Sequence, residues 1–205
     1  MAPWEDDAPG LTLARFAGAA TAGSVAPAPL FAPTPERVRV CVIGGIGVEK
    51  GYDILLACLR DSASRRLALD FVLVGHSTND DSLLGAGCLD VTGSYREDDA
   101  VALIRAQDCD LAFLPSIWPE TWCFTLGLAW RAGLDAVVFD IGSQSERVRR
   151  TGRGAVLPLG LPVAALNDML LRLSRTRSIQ PAYVAQAPTG GRRTQEVADP
   201  LRMFP

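Results

Sequence analysis

The chain of 205 residues contains one histidine, His76, which cannot furnish a His-rich metal site. It has no C-x-x-C pair. Its five cysteines, Cys41, Cys58, Cys88, Cys109 and Cys123, are widely spaced and odd in number. That pattern reads as reduced thiols in a core, not as a disulfide framework or a zinc site. No stretch of eighteen uninterrupted apolar residues is present, so no membrane-spanning helix is expected. A net charge of −3 supplies no electrostatic reason to expect nucleic acid as a partner. The opening MAPWEDDAPG is acidic and lacks the basic start and apolar run of a signal peptide, and with the reduced-thiol pattern a cytoplasmic location is the expectation. What is abundant is apolar: 48% of the residues are hydrophobic, which excludes global disorder. The length suits one ordinary core with tails.

Residues 1–36 are rich in Ala, Pro and Gly without a sustained period, and prolines at 27, 29, 33 and 35 block both helix and inner strand. This segment reads as a linker or interdomain remnant, and 175–205 as a disordered tail. Between them, over 37–174, the pattern alternates. RVRVCVIG, DFVLVG, CLDVTG, DLAFLPS, DAVVFDIG and GAVLPL read as strands. GYDILLACLRD places Ile54, Leu55, Cys58 and Leu59 on one helical face. EDDAVALIRAQ opens with acids, as a helix N-terminus does, and buries Val101 and Ile104. A further helix begins near Phe124 and Thr125, a short one over SQSERVRRTG stops at Gly152, and a last one starts near Pro162 with apolar residues at 163, 166, 169, 170 and 173.

Near-continuous apolar strands alternating with helices define an α/β fold, a Rossmann-like parallel sheet with helices on both faces. Such sheets bind ligands at the C-terminal ends of their strands. The places to inspect are therefore 44–50, 75–80, 93–96, 115–125 and 140–146.

The first of these reads GGIGVEKG. Gly44, Gly45 and Gly47 let backbone N–H groups approach an anion, and Lys50 supplies charge. A Walker A loop requires Ser or Thr after the lysine, and Gly51 stands there. A dinucleotide fingerprint requires a third glycine where Lys50 stands, and an acid after the second strand where the chain has Gly75-His76. A looser phosphate loop, with Lys50 neutralising a pyrophosphate, and a plain tight turn with a surface lysine both stay open.

The stretch PSIWPETWCFT, 115–125, narrows the choice. Glu120 precedes a helix start whose free N–H groups at Phe124 and Thr125 suit phosphate oxygens, aided by the helix dipole. A carboxylate beside a phosphate site is placed to accept hydrogen bonds from sugar hydroxyls, although an acid at that point is also a simple helix-start residue. Trp118 and Trp122 are expected to pack against the sheet, in preference to stacking on a sugar.

KGYDILL, FVLVG, VTGSY, LAFLPSIWPETWCFTLGLAWRAG and VVFDIGSQSERV, in this order, resemble the nucleotide-sugar-binding C-terminal half of retaining family-4 glycosyltransferases of the GT-B fold. The resemblance covers about residues 37–173 and is most specific in the P-S-x-x-P-E-T block. It implies polysaccharide biosynthesis, a nucleoside diphosphate sugar as substrate, a glycan or other acceptor, no cofactor or metal, and a location in the cytoplasm, peripheral at the inner membrane. It implies that Lys50 contacts the donor diphosphate and Glu120 the donor sugar, these two being the catalytic candidates. Gly45, Gly47, Tyr95, Phe124 and Thr125 would complete the donor site, with the base lying near 93–96. Two departures stand out. Gly45 occupies the place of a companion arginine, and Leu128 the place of the second acid, which holds the ribose hydroxyls.

Helical geometry sharpens the second departure. Leu126, Ala129, Trp130 and Gly133 form the stripe expected to face the sheet. Position 128 lies about 200° around from 126, with Thr125 and Ala132, on the side expected to face the cleft. The GT-B fold also needs an acceptor domain, which the lead over 1–36 is too short to be. The chain is accordingly expected to be a fragment, a shortened product or a lone donor domain that works with a separate acceptor domain. The alternative is a non-catalytic nucleotide-sugar-binding or interaction module, and a third reading is a dinucleotide-binding protein.

Overall fold

The computed structural model describes residues 37–177; the expected linker over 1–36 and the stretch 178–205 lie outside the described residues. Six strands and six helices follow one another as β1 (Val38–Ile46), α1 (Tyr52–Arg65), β2 (Leu69–Ser77), α2 (Asp80–Gly85), β3 (Leu89–Val91), α3 (Ala100–Ala106), β4 (Leu111–Leu114), α4 (Phe124–Ala132), β5 (Ala136–Phe139), α5 (Gly142–Thr151), β6 (Gly154–Leu157) and α6 (Val163–Arg177). The acids Glu97–Asp99 form a 3-10 turn that leads into α3. All strand pairs are parallel, in the order β3-β2-β1-β4-β5-β6. The order reverses between β1 and β4, which opens a crevice at the C-terminal strand ends.

The two-residue period of the strands divides the core. Val40, Val42, Phe71 and Leu73 point to one face, where Leu55, Cys58 and Leu59 of α1 and Leu166 and Leu170 of α6 cover them. Cys41, Ile43, Val72 and Val74 point to the other, under Ala100 and Ile104 of α3, Leu126 and Ala129 of α4 and Val148 of α5. Both faces being covered is why the strands read as unbroken apolar runs. Phe113 and Phe139 meet edge to face with centroids 5.8 Å apart. At the seam between α1 and α6, buried Asn167 donates through Nδ2 to the Cys58 carbonyl (2.9 Å) and to Asp61 (2.8 Å).

Three details differ from the sequence expectation. Helix α2 was not expected; Asn79 caps it by accepting from the Ser82 N–H at 2.9 Å, and a helix of six residues is too short to display a hydrophobic period. Helix α6 continues through Arg177, so residues 175–177, assigned to the tail, are helical. In α3 the buried residues are Ala100 and Ile104, with Val101 only half-buried.

Cys41, Cys58 and Cys123 are buried free thiols. Burial, reinforced by nearby Asp61, pushes the Cys58 thiol up to about 12. Folding thus favours its protonated form, a contribution intact below the ordinary thiol range and lost as the pH rises toward about 12. Relative to a free thiol this is about a thousandfold less thiolate. Iodoacetamide at alkaline pH should therefore label half-buried Cys88 in the native protein and reach Cys58 only after denaturation, as read by peptide mass spectrometry. Labelling of both at one rate would contradict the burial of α1.

Candidate functional site

Strand β1 runs further than expected. Gly44, Gly45 and Ile46 are still paired, with Gly75, His76 and Ser77. Gly45 is therefore a strand residue, not part of a loop. The turn that follows is closed by its own backbone: the N–H groups of Lys50 and Tyr52 donate to the Gly47 carbonyl at 3.1 and 3.0 Å, and that of Gly51 to Val48 at 2.9 Å. Those three amides are spent within the turn. What the turn offers outward is Lys50, the only lysine of the chain.

The Lys50 ammonium donates to Glu120 Oε1 at 2.6 Å. The lysine side chain is 43% exposed and the carboxylate 14%. Two loop contacts bring these residues together across seventy positions of sequence. On one side, the loop after β4 lies on the β1 turn: the Ile117 N–H donates to the Glu49 carbonyl at 3.0 Å, and Ser116 Oγ donates to the same carbonyl at 3.2 Å. Gly51, at φ 83°, allows this approach, because a Cβ there would overlap the Pro115 carbonyl. On the other side, the loop into α5 holds the backbone of Glu120: the Ser143 N–H donates to the Glu120 carbonyl at 2.9 Å. Gly142, at φ 61°, is required there too, since a Cβ would stand 2.7 Å from the Glu120 nitrogen. The acid between two tryptophans is thus clamped by the strand-end loops of β1 and β5.

Helix α4 starts immediately behind, at Phe124, with Cys123 as N-cap and no side-chain hydrogen bond capping it. Its first N–H groups, including those of Phe124 and Thr125, are the kind that accept an anion. Thr125 faces the end of β1: its methyl would lie 3.2 Å from a Cβ on Gly44. Its hydroxyl is 3.3 Å from Cys123 Sγ. Burial is the main cause that pushes the Cys123 thiol up.

Four expectations need correction. Leu128 is 7% exposed and belongs to the apolar cluster on the α3–α4 side of the sheet; it is a core side chain, not an open cleft position. It lies one turn further along α4 than Thr125 and shares its cluster with Ala100 and Ile104 of α3. Gly133 does not face the sheet but ends α4 in the left-handed conformation at φ 95°. Trp118 and Trp122 do not pack against the sheet, being 63% and 56% exposed. Trp122 instead carries the Arg147 guanidinium 4.3 Å from its ring centroid.

Tyr95, after β3, is half-buried against the same cluster as Leu128, and burial pushes its phenol up. Beside it, exposed His76 has Nδ1 3.3 Å from Ser94 Oγ, and a Cβ on Gly45 would stand 3.5 Å from its Nε2. Sequence reasoning assigned no role to His76, Ser94, Gly142 or Ser143. The strand-end rule had marked these loops, but only the register of β1 on β2 and the packing of α5 bring them to the crevice. Next to Ser143, Gln144 is 1% exposed, and neither polar atom of its side chain has a hydrogen-bond partner among the described residues. No group of three or more His, Cys, Asp or Glu residues among the described residues is arranged to hold a metal. No helix among them is long and apolar enough to cross a membrane.

No family model matches the chain, and no curated protein matches it in sequence. Solved structures do. HepE of Anabaena in complex with UDP-glucose is 19% identical over 69% of this chain and 40% of its own, with a TM-score of 0.55. WaaG, a glycosyltransferase involved in lipopolysaccharide biosynthesis, is 20% identical over 71% and 40%, with a TM-score of 0.54. The C-terminal domain of the group 1 glycosyl transferase LpcC from Francisella tularensis is 16% identical over 68% of this chain and 78% of its own, with a TM-score of 0.52. The chain thus spans about 40% of the length of the first two and most of the isolated domain. The described residues have the fold of the C-terminal domain of GT-B group 1 glycosyltransferases.

Proposed function

We propose that this domain binds a nucleoside diphosphate sugar across the β1–β4 crevice and serves as the donor half of a retaining glycosyltransferase whose acceptor half is a separate domain. The observation that carries the reading is the 2.6 Å pair of Lys50 and Glu120 beside the uncapped start of α4. A cation and a helix N-terminus suit a diphosphate, and a carboxylate beside them suits sugar hydroxyls. UDP-glucose bound to HepE, a protein of the same fold, supports the ligand class.

In this reading Lys50 turns from Glu120 to the diphosphate, joined by the N–H groups of Phe124 and Thr125, and stabilises the charge of the leaving group. Glu120, released from Lys50, orients the donor sugar. The base lies toward Tyr95, and the departing phosphate oxygen takes the proton of the acceptor hydroxyl. Residues 37–174, with the rest of α6, form the donor domain. The acceptor is a glycan or similar hydroxyl compound, and the enzyme works in the cytoplasm at the inner membrane surface.

Calorimetric titration with uridine, UDP, UDP-glucose, GDP-mannose and NAD tests this. A nucleoside diphosphate and its sugar should bind at least tenfold more tightly than the nucleoside, and NAD should not compete. Equal binding of uridine and UDP would remove the diphosphate site, and preference for NAD would restore the dinucleotide reading.

The burial of Leu128 favours a second reading, a non-catalytic nucleotide-sugar-binding module. Because residue 128 is packed in the core, α4 presents no carboxylate to the ribose from that position, and a missing charge-assisted partner costs about 1.5–3 kcal/mol of affinity. Donor binding without transfer or hydrolysis, in the presence of an acceptor domain, would decide for the module.

A further inference from the structure

Along α4, on the side of Phe124, Gly127 and Arg131, lies a groove of about 440 Å³ lined by Trp122, Phe124, Trp130, Arg131, Arg147 and Arg153, with Gly127 between them. Phe124, Gly127 and Arg131 follow the i, i+3, i+7 spacing of one helix face, and Trp130 flanks it. We propose that this groove is a binding site for an anionic oligosaccharide. The inference does not rest on the donor-site reading.

Three features carry it. First, large aromatic surface is left in water: Trp122 is 56% and Phe124 73% exposed. Flat indole and phenyl faces accept the C–H face of a sugar ring while its polar groups stay wet. Second, the cations are held in place. The Arg147 guanidinium lies 4.3 Å from the Trp122 centroid and 5.2 Å from that of Trp130, and its Nη1 donates to the Cys123 carbonyl at 2.7 Å. Arg153 lies 5.8 Å from the Trp130 centroid and donates to the Trp130 carbonyl at 3.2 Å. A guanidinium stacked on an indole keeps the rest of its planar fork for a carboxylate or phosphate. Among the described residues no carboxylate lines the groove; Asp135 meets Arg153 at 3.7 Å from outside it. Third, Gly127 keeps the groove open. Glycine inside a helix is less favourable than alanine. A Cβ at 127 would meet only Arg147 Nη2, at an ordinary 3.9 Å, so neither backbone nor packing demands the glycine. Its absent side chain leaves room between Phe124 and Arg131.

The alternation of aromatic faces with fixed guanidinium groups fits a chain of rings bearing acidic groups. A peptide of acidic residues alone would use the arginines and leave the rings unused. The groove volume is within the range of small-ligand sites, roughly 300–1,000 Å³.

The test is titration of the full chain with tetragalacturonate, maltotetraose and hexaglutamate, followed by tryptophan fluorescence. Tetragalacturonate should bind and change the emission, with maltotetraose and hexaglutamate each at least tenfold weaker. Arg131→Ala and Trp122→Ala, both at the exposed rim, should each weaken it about tenfold. Gly127→Leu should fill the groove and abolish binding while circular dichroism and UDP titration stay as in the parent chain. Absence of tetragalacturonate binding overturns the proposal. So does hexaglutamate binding as tightly, which would make the groove a peptide or charge-only surface, and so does retention of affinity in Gly127→Leu with native circular dichroism.

Discussion

Leu128→Glu is expected to lose about 3–5 kcal/mol of folding stability, the cost of a buried carboxylate with no partner. Leu128 is 7% exposed and belongs to an apolar cluster with Ile43, Val74, Ile104 and Leu126. Leu128→Met, which keeps the volume and adds no charge, should cost less than about 1.5 kcal/mol. Chemical denaturation of the pair separates a charge effect from a packing effect. In the family that the sequence resembles, an acid at this place holds the ribose. If Leu128→Glu kept its stability and bound UDP-glucose more tightly, with the gain absent for a 2′,3′-dideoxy analogue, position 128 would face the crevice. The burial described for α4 would then be wrong.

Lys50→Ala is expected to weaken UDP binding by about 1.5–3 kcal/mol, the range for a charge-assisted hydrogen bond, and to leave uridine binding unchanged. The loss should shrink as salt is raised, since the lysine side chain is 43% exposed. Glu120→Gln should behave in the opposite sense. It releases the only lysine of the chain from its 2.6 Å partner, so UDP binds at least as well as in the parent. The extra affinity conferred by the glucose of UDP-glucose should fall. This opposition distinguishes a ligand site from a structural ion pair. A structural pair would respond alike to the loss of either member, in stability and not in affinity. Equal loss of UDP and uridine affinity in Lys50→Ala would take Lys50 out of the diphosphate site.

The sequence by itself determined the layers of the fold. Six apolar runs spaced by amphipathic segments can bury their surfaces only as a parallel sheet covered on both faces, and the described sheet has those six strands. Gly152 and Pro162 marked helix boundaries because their backbone preferences act locally. The loops carrying Lys50 and Glu120 were legible for a similar reason: ligands of such sheets meet the C-terminal strand ends. Helix α2 was not legible, because a six-residue helix fixed by an Asn79 cap shows no period. Nor was the fate of the residues on α4. Periodicity tells which residues share a face, but not what lies opposite that face. Packing within the apolar cluster on that face of the sheet made position 128 core, while Trp122 and Phe124 stay exposed among the described residues. Only the tertiary structure decided that Lys50 and Glu120 meet, because their contact depends on Gly51 admitting the Pro115 carbonyl and on Gly142 admitting the Glu120 backbone. These are close approaches between segments distant in the chain, set by three-dimensional sterics that neither composition nor spacing encodes.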